Sequence, residues 1–142
     1  MMTGLLHTHS LLRYFILIML VVVIVKSLMG LASKKPYGVW DNKFSLYLLI
    51  FTHLQLVAGL ILYFTSDVVQ FNSGTMKTAE LRYWAVEHIV GMLLAVVLIT
   101  VARISSKKMT SDQAKHKRMV IFNGAALLLI VSIIYMSGRG IL

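Results

Sequence analysis

The chain alternates between long apolar blocks and shorter polar stretches. A hydrocarbon core of about 30 Å needs roughly 20 residues of helix, and four blocks are long enough to cross it. We predict helices, because each helix satisfies its own backbone hydrogen bonds in lipid. The predicted spans are residues 5–28, 44–65, 83–102 and 119–141. This pattern favours an all-α, integral membrane four-helix bundle with up-down-up-down topology, formed by residues 1–142 as a single transmembrane domain.

Residues that start or stop helices lie between these blocks. Gly30 can end the first helix, and the only proline, Pro36, lies in the first loop. Asp41 can cap the second helix. Thr110 and Gln113 have the spacing of a capping box before the fourth helix.

The composition excludes several classes of protein. Apolar residues make up 58% of the chain and charged residues 13%, whereas soluble domains have about 45–50% and about 25%. A soluble enzyme, a disordered tail and a disulfide scaffold are therefore excluded. The lack of cysteine excludes Fe–S clusters, thiolate metal sites and c-type haem. The net charge is +9, and the basic residues lie between the apolar blocks. This pattern indicates membrane topology and no nucleic-acid partner.

Lysine and arginine are divided unevenly between the two ends of the predicted bundle. Ten lie beside the first and third loops, namely Lys26, Lys34, Lys35, Lys43, Arg103, Lys107, Lys108, Lys115, Lys117 and Arg118. Four lie at the opposite end, namely Arg13, Lys77, Arg82 and Arg139. Because basic residues accumulate on the cytoplasmic side, we predict that both termini lie on the non-cytoplasmic side. The second loop, residues 66–82, would then lie outside the cell, with Val68, Val69 and Phe71 at the lipid interface.

Ionisable side chains within membrane spans are functional candidates, because lipid makes them costly. The candidates are His9, Arg13, His53, Glu87 and His88. His7 and His9 point about 200° apart on a helix, so they do not form a chelating pair. We expect His116 to be a solvated residue of the third loop.

Two of these histidines share a depth in the membrane. At about 1.5 Å per residue, His9 lies about 26 Å above Lys26, and His88 lies about 22 Å above Arg103. His53 lies nearer the middle of the membrane. The first and third helices of such a bundle stand diagonally, so His9 and His88 can ligate one haem iron from opposite sides. The pair His53 and His88 is the competing ligand set.

Several residues near this pair of histidines could contribute to a haem site. Arg13 and Arg82 could bind haem propionates through charge-assisted hydrogen bonds. Gly91 and Ala95 would leave room for a flat macrocycle, although helix packing is the favoured role of two small residues at this spacing. Glu87 is expected to pair with Arg13 or Arg82 rather than to handle protons at a quinol pocket.

Short motifs along the whole chain support a resemblance. They are His9-Ser10, Arg13-Tyr14, Asp41-Asn42-Lys43, His53-x-Gln55, Leu62-Tyr63-Phe64 and Glu87-His88. With these motifs the chain resembles the small four-helix, cytochrome-b-like integral membrane proteins of Bacteroidetes. The resemblance implies a haem b and electron transfer, and it leaves the ligands and partner open. The chain departs from larger cytochromes b in having three membrane histidines rather than four, so it supports at most one bis-histidine haem.

The sequence therefore predicts a multi-pass protein of a bacterial inner membrane that binds one haem b and transfers electrons. Its expected partners are the lipid bilayer, a membrane protein or a second copy of the chain, and a quinol. The alternative is a haem-free accessory or assembly subunit of a larger membrane complex. No residue pattern indicates a self-sufficient catalytic centre.

Overall fold

Four helices make up the regular structure of the described parts of the chain. The computed structural model describes residues 2–65, 82 and 86–136. The helices are α1 (Met2–Ser33), α2 (Val39–Thr65), α3 (His88–Lys108) and α4 (Asp112–Met136). Each is long and apolar enough to cross a membrane. The prediction of an all-α, multi-pass membrane protein is confirmed to this extent. The predicted helical residues 83–85 and 137–141, and the proposed interface residues of the second loop, lie outside the described residues.

The first loop is shaped by its two helix ends. Helix α1 does not end at Gly30 but continues to Ser33. Lys34 adopts a left-handed conformation with φ of 51°, and the backbone N–H of Lys35 donates to the Gly30 carbonyl at 2.9 Å. This is the Schellman arrangement that closes many helices. Helix α2 begins at Val39, five residues before the predicted span. Asp41 caps it as predicted, but from inside the first turn, where its Oδ2 accepts a hydrogen bond from the Gly38 N–H at 2.8 Å.

Helix α4 begins seven residues before the start of the predicted span. Its first residue is Asp112, and the cap is Ser111, whose Oγ accepts a hydrogen bond from the Ala114 N–H at 3.1 Å. The predicted capping box at Thr110 is therefore wrong by one residue. The charged stretch that the sequence assigned to the third loop is instead the first two turns of a helix.

The helices form a ring of neighbours. Helix α1 packs against α2 and α4, and α3 packs against the same two helices. Helices α1 and α3 thus stand diagonally across the bundle. Lys26 contacts Asp41 near the end of α1 and the start of α2, whereas Gln55 reaches back to His9 near the start of α1. These two helices therefore run in opposite directions.

Buried residues follow α1 and α4 at alternating steps of three and four, the spacing of coiled-coil packing. The middle of the bundle is filled by apolar side chains. We name the residues Leu20, Leu48, Ile99 and Ala126, one from each helix, the apolar layer. All four are buried. Polar residues lie on both sides of this layer, in two separate regions at opposite ends of the bundle. Those beside Asp41 are mostly buried, and those beside His9 are half-buried.

Candidate functional site

The two polar regions differ in their chemistry. The first, here the histidine end, contains His9, Arg13, Gln55 and His88. The second, here the basic end, is built around Lys26, Asp41, Arg103 and His116. The histidine end holds most of the residues that the sequence singled out.

His9 is held at the contact between α1 and α2. The side-chain Nε2 of Gln55 donates to the backbone carbonyl of His9 at 2.7 Å. Gly59 leaves space for the imidazole, since a Cβ at that position would lie 3.3 Å from His9 Cε1. Ser45, Thr52, Gln55 and Gly59 lie along one side of α2 at helical spacing. Ser45 and Thr52 are buried in the bundle, so this side of α2 is an interhelical contact.

His88 and His9 lie on the diagonal helices and at the same end of the bundle. His88 is the first residue of α3, and it lies within electrostatic range of both His9 and Arg13. Arg13 Nη2 donates to the hydroxyl of Tyr14 at 2.9 Å. Among the described residues, no carboxylate forms an ion pair with Arg13. The structure therefore brings together the two histidines and one guanidinium.

Three buried polar atoms at this end have no hydrogen-bond partner among the described residues. They are His9 Nδ1, Arg13 Nε and Gln55 Oε1. Buried polar atoms are nearly always paired with protein, water or a ligand. Two of them, on His9 and Gln55, lie on side chains close enough to interact with each other, so Arg13 Nε is the clearest unused donor at this end.

Glu87 pairs with Arg82 and not with Arg13. The distance from Arg82 Nε to Glu87 Oε1 is 2.7 Å, and both side chains are partly exposed. The predicted pairing of Glu87 with one of two arginines is confirmed, with Arg82 as the partner. This pairing engages Arg82 Nε and leaves Arg13 as the better-placed cation for an anionic ligand.

Two other sequence candidates do not face this site. His53 is exposed on the outer surface of α2, and its Nδ1 lies 2.8 Å from the carbonyl oxygen of Leu49 on the same helix. Gly91 packs against α4, and a Cβ there would lie only 2.6 Å from the side chain of Ile133. Gly91 and Ala95 therefore serve helix packing, the favoured interpretation, and they leave no open space for a macrocycle at that level.

The basic end is organised around the buried carboxylate of Asp41. Its Oδ1 lies 3.2 Å from Lys26 Nζ. Arg103, only 7% exposed, donates from Nη1 to the carbonyl of Asn42 at 3.0 Å and joins α3 to α2. Burial raises the pKa of the Tyr37 hydroxyl, and the charge of Asp41 acts in the same direction. Tyr37 therefore stays a protonated donor at neutral pH.

His116 is the largest departure from the sequence prediction, because it is not a solvated loop residue. Its side chain is 1% exposed and lies in the second turn of α4 against Gly30 of α1. Its Nε2 lies 3.1 Å from the carbonyl oxygen of Lys35. Its ring meets the Tyr37 ring edge-on, with centroids 5.2 Å apart. The physical reason is that α4 starts early and carries this residue into the bundle.

A signal for this region was present in the sequence. The buried face of α4 continues the coiled-coil spacing backwards into the charged stretch, through Ile133, Ile130, Ala126, Asn123, Met119 and His116. The local mean hydropathy does not show this pattern, because Lys115, Lys117 and Arg118 flank His116 in the sequence. Spacing, rather than average polarity, would have placed His116 in the core.

Searches against known protein families, curated proteins and solved structures found no significant match to this chain. The resemblance to cytochrome-b-like proteins therefore stays a prediction. Among the described residues, no group of three or more potential metal ligands occurs.

Proposed function

We propose that this chain is a b-type haem-binding protein of a bacterial inner membrane that transfers electrons. In this proposal His9 and His88 are the axial ligands of one haem at the histidine end. The observation that supports it best is the placement of these two imidazoles on diagonal helices at one end of the bundle. A bis-histidine haem needs one ligand on each face of the porphyrin.

The donor set at the histidine end fits this group. Arg13 has no carboxylate partner among the described residues, so its guanidinium can donate to a haem propionate. Gln55 holds the backbone of His9 and thereby fixes the level of the imidazole on α1. The packed contact at Gly91 limits the site to the outermost turns of the bundle. Haem, when bound, supplies one-electron exchange.

In this proposal a quinol is the electron donor, and a membrane protein or a second copy of the chain is the electron acceptor. A haem near the membrane surface would be accessible to either kind of partner. With ten basic residues against four, the positive-inside rule places the histidine end and both termini on the non-cytoplasmic side. The second loop would then lie outside the cell.

Haem content in three histidine variants tests the proposal. The parent protein should show paired Soret and α bands in a reduced-minus-oxidised spectrum, with one haem per chain. His9→Ala and His88→Ala should each lose most of the haem at unchanged expression. His53→Ala is the matched control, since His53 is exposed on the outer surface of α2, and it should keep the haem.

Two outcomes would contradict the assignment. Loss of haem in His53→Ala with retention in His9→Ala would make His53 and His88 the ligand pair. A parent protein without haem, expressed where haem is plentiful, would end the cofactor proposal.

A haem-free accessory subunit is the second candidate function. One observation favours it: His53 is exposed near the middle of α2, where lipid would surround it. A polar side chain at that depth usually faces another protein. In this case the parent would lack haem and copurify with a larger membrane complex.

A further inference from the structure

The side chain of Gln55 contacts His9 in a way that fixes the direction of its own amide. Its Nε2 donates to the backbone carbonyl of His9 at 2.7 Å. A carbonyl oxygen only accepts hydrogen bonds, so the nitrogen end of the amide must lie against the backbone of α1. The other end, Oε1, is buried and has no hydrogen-bond partner among the described residues. Gln55 therefore keeps one acceptor for a second contact.

The imidazole of His9 supplies the complementary atom. Its Nδ1 is also buried and without a hydrogen-bond partner in the described part of the chain, and the side chains of His9 and Gln55 lie close enough to interact. Gly59, about one turn further along α2, also contacts the ring, since a Cβ there would lie 3.3 Å from Cε1 and 4.0 Å from Nδ1. Helix α2 thus encloses Nδ1, and Nε2 is the ring nitrogen left for a ligand.

These contacts select one tautomer of His9. A neutral imidazole carries one proton, on one of its two nitrogens. Because Gln55 Oε1 only accepts, it pairs with Nδ1 when the proton is on Nδ1 and the lone pair is on Nε2. The hydrogen bond made by one ring nitrogen determines in this way which nitrogen binds a metal. Ligating histidines usually donate their second N–H to an oxygen, which also makes the imidazole more basic.

We propose that Gln55 is a positioning residue, which holds His9 in the Nδ1–H tautomer and leaves Nε2 as the nitrogen that binds iron. The identity of the ligand rests on the proposed haem function, whereas the tautomer is a property of the chain alone. Hydrogen bonds near the iron are one means by which a protein sets the reduction potential of haem. Helix α2 would therefore tune a ligand that α1 carries.

The tautomer of His9 can be measured in the full-length protein before haem is added. Nitrogen NMR of isotopically labelled histidine, at alkaline pH, distinguishes a protonated ring nitrogen from a bare one, and the loss of a signal in His9→Asn assigns it. The parent protein should carry the proton on Nδ1. Gln55→Leu should lose this preference and give a mixture of the two tautomers, whereas Gln55→Glu keeps an acceptor and should retain it.

Thr52→Val is the matched control for these variants. Thr52 is buried on the same side of α2, and its hydroxyl donates to the carbonyl of Leu49 on its own helix. This variant removes a polar group of similar depth without touching His9, so the tautomer should not change.

The reduction potential of the haem-loaded protein gives a second readout. Gln55→Glu should lower it, because a carboxylate accepts the Nδ1 proton more strongly, and Gln55→Leu should raise it. Shifts of the same sign would reduce Gln55 to a packing residue and overturn the proposal. A proton on Nε2 of His9 in the parent, or an unchanged tautomer in Gln55→Leu, would also overturn it. A parent that binds no haem but has the Nδ1–H tautomer, lost in Gln55→Leu, would refute the haem function and support the role of Gln55.

Discussion

The ring of His116 lies against the backbone of α1 at Gly30. A Cβ at Gly30 would lie 2.4 Å from His116 Nε2 and 2.7 Å from Cδ2. Both residues are buried, so the ring cannot move into solvent to relieve the contact. Gly30 is required here for its small size, and not for ending the helix.

Gly30→Ala is therefore expected to destabilise the protein. Overpacking of this kind costs about 1–3 kcal/mol, more than the gain of under about 1 kcal/mol that alanine brings to a helix. Thermal unfolding in detergent would measure the loss. Gly124→Ala on α4 is the control, because a Cβ there meets nothing within 4 Å, and it should be neutral or stabilising. Equal midpoints for the two variants would show that the His116 contact is not tight.

At the scale of single residues, the sequence predicted contacts better than it predicted burial. Glu87 was expected to pair with Arg13, which lies at a similar depth, or with Arg82, and its partner is Arg82 at 2.7 Å. The burial of His116 depends on contacts with α1 and the first loop, which residue type does not report. Arg103 was missed for the same reason, since only its contact with α2 explains its burial.

At the level of elements, the start of α4 is defined by one side chain. Ser111 Oγ accepts from the Ala114 N–H, one of the N–H groups that a helix start leaves without a partner. Ser111→Ala should cost about 1 kcal/mol of stability. Thr110→Ala is the matched control, because Thr110 is exposed and lies one residue before the cap. A larger loss in Thr110→Ala, measured by thermal unfolding, would move the cap back to the residue that the sequence pattern favoured.

Helix existence was easier to predict than helix length. The four apolar blocks each became a helix, because lipid demands internal hydrogen bonds over about 20 residues. The basic ends of these helices were cut short in the prediction, since charged residues lower the local hydropathy without interrupting the backbone. Helix α4 shows this best, with two turns of charged helix before its apolar part.

At the level of the whole molecule, orientation can be measured directly. The chain has no cysteine, so single cysteines introduced at Lys35, Ser73 and Thr110 give no background labelling. A membrane-impermeant maleimide should label Ser73→Cys in intact cells and the other two only after the membrane is opened, because ten of fourteen basic residues lie at the end of positions 35 and 110. If Ser73→Cys were labelled only after the membrane is opened, the predicted orientation would be reversed.

The apolar layer is also the barrier that a charge would meet on passing from one end of the bundle to the other. On α2 it separates the buried hydroxyls of Ser45 and Thr52 by about 10 Å of helix. A unit charge that crosses a membrane potential gains or loses about 2.3 kcal/mol per 100 mV, and the four side chains of the layer offer it no polar partner on the way. We therefore expect the two polar regions to exchange protons and ions separately, each through its own end of the bundle.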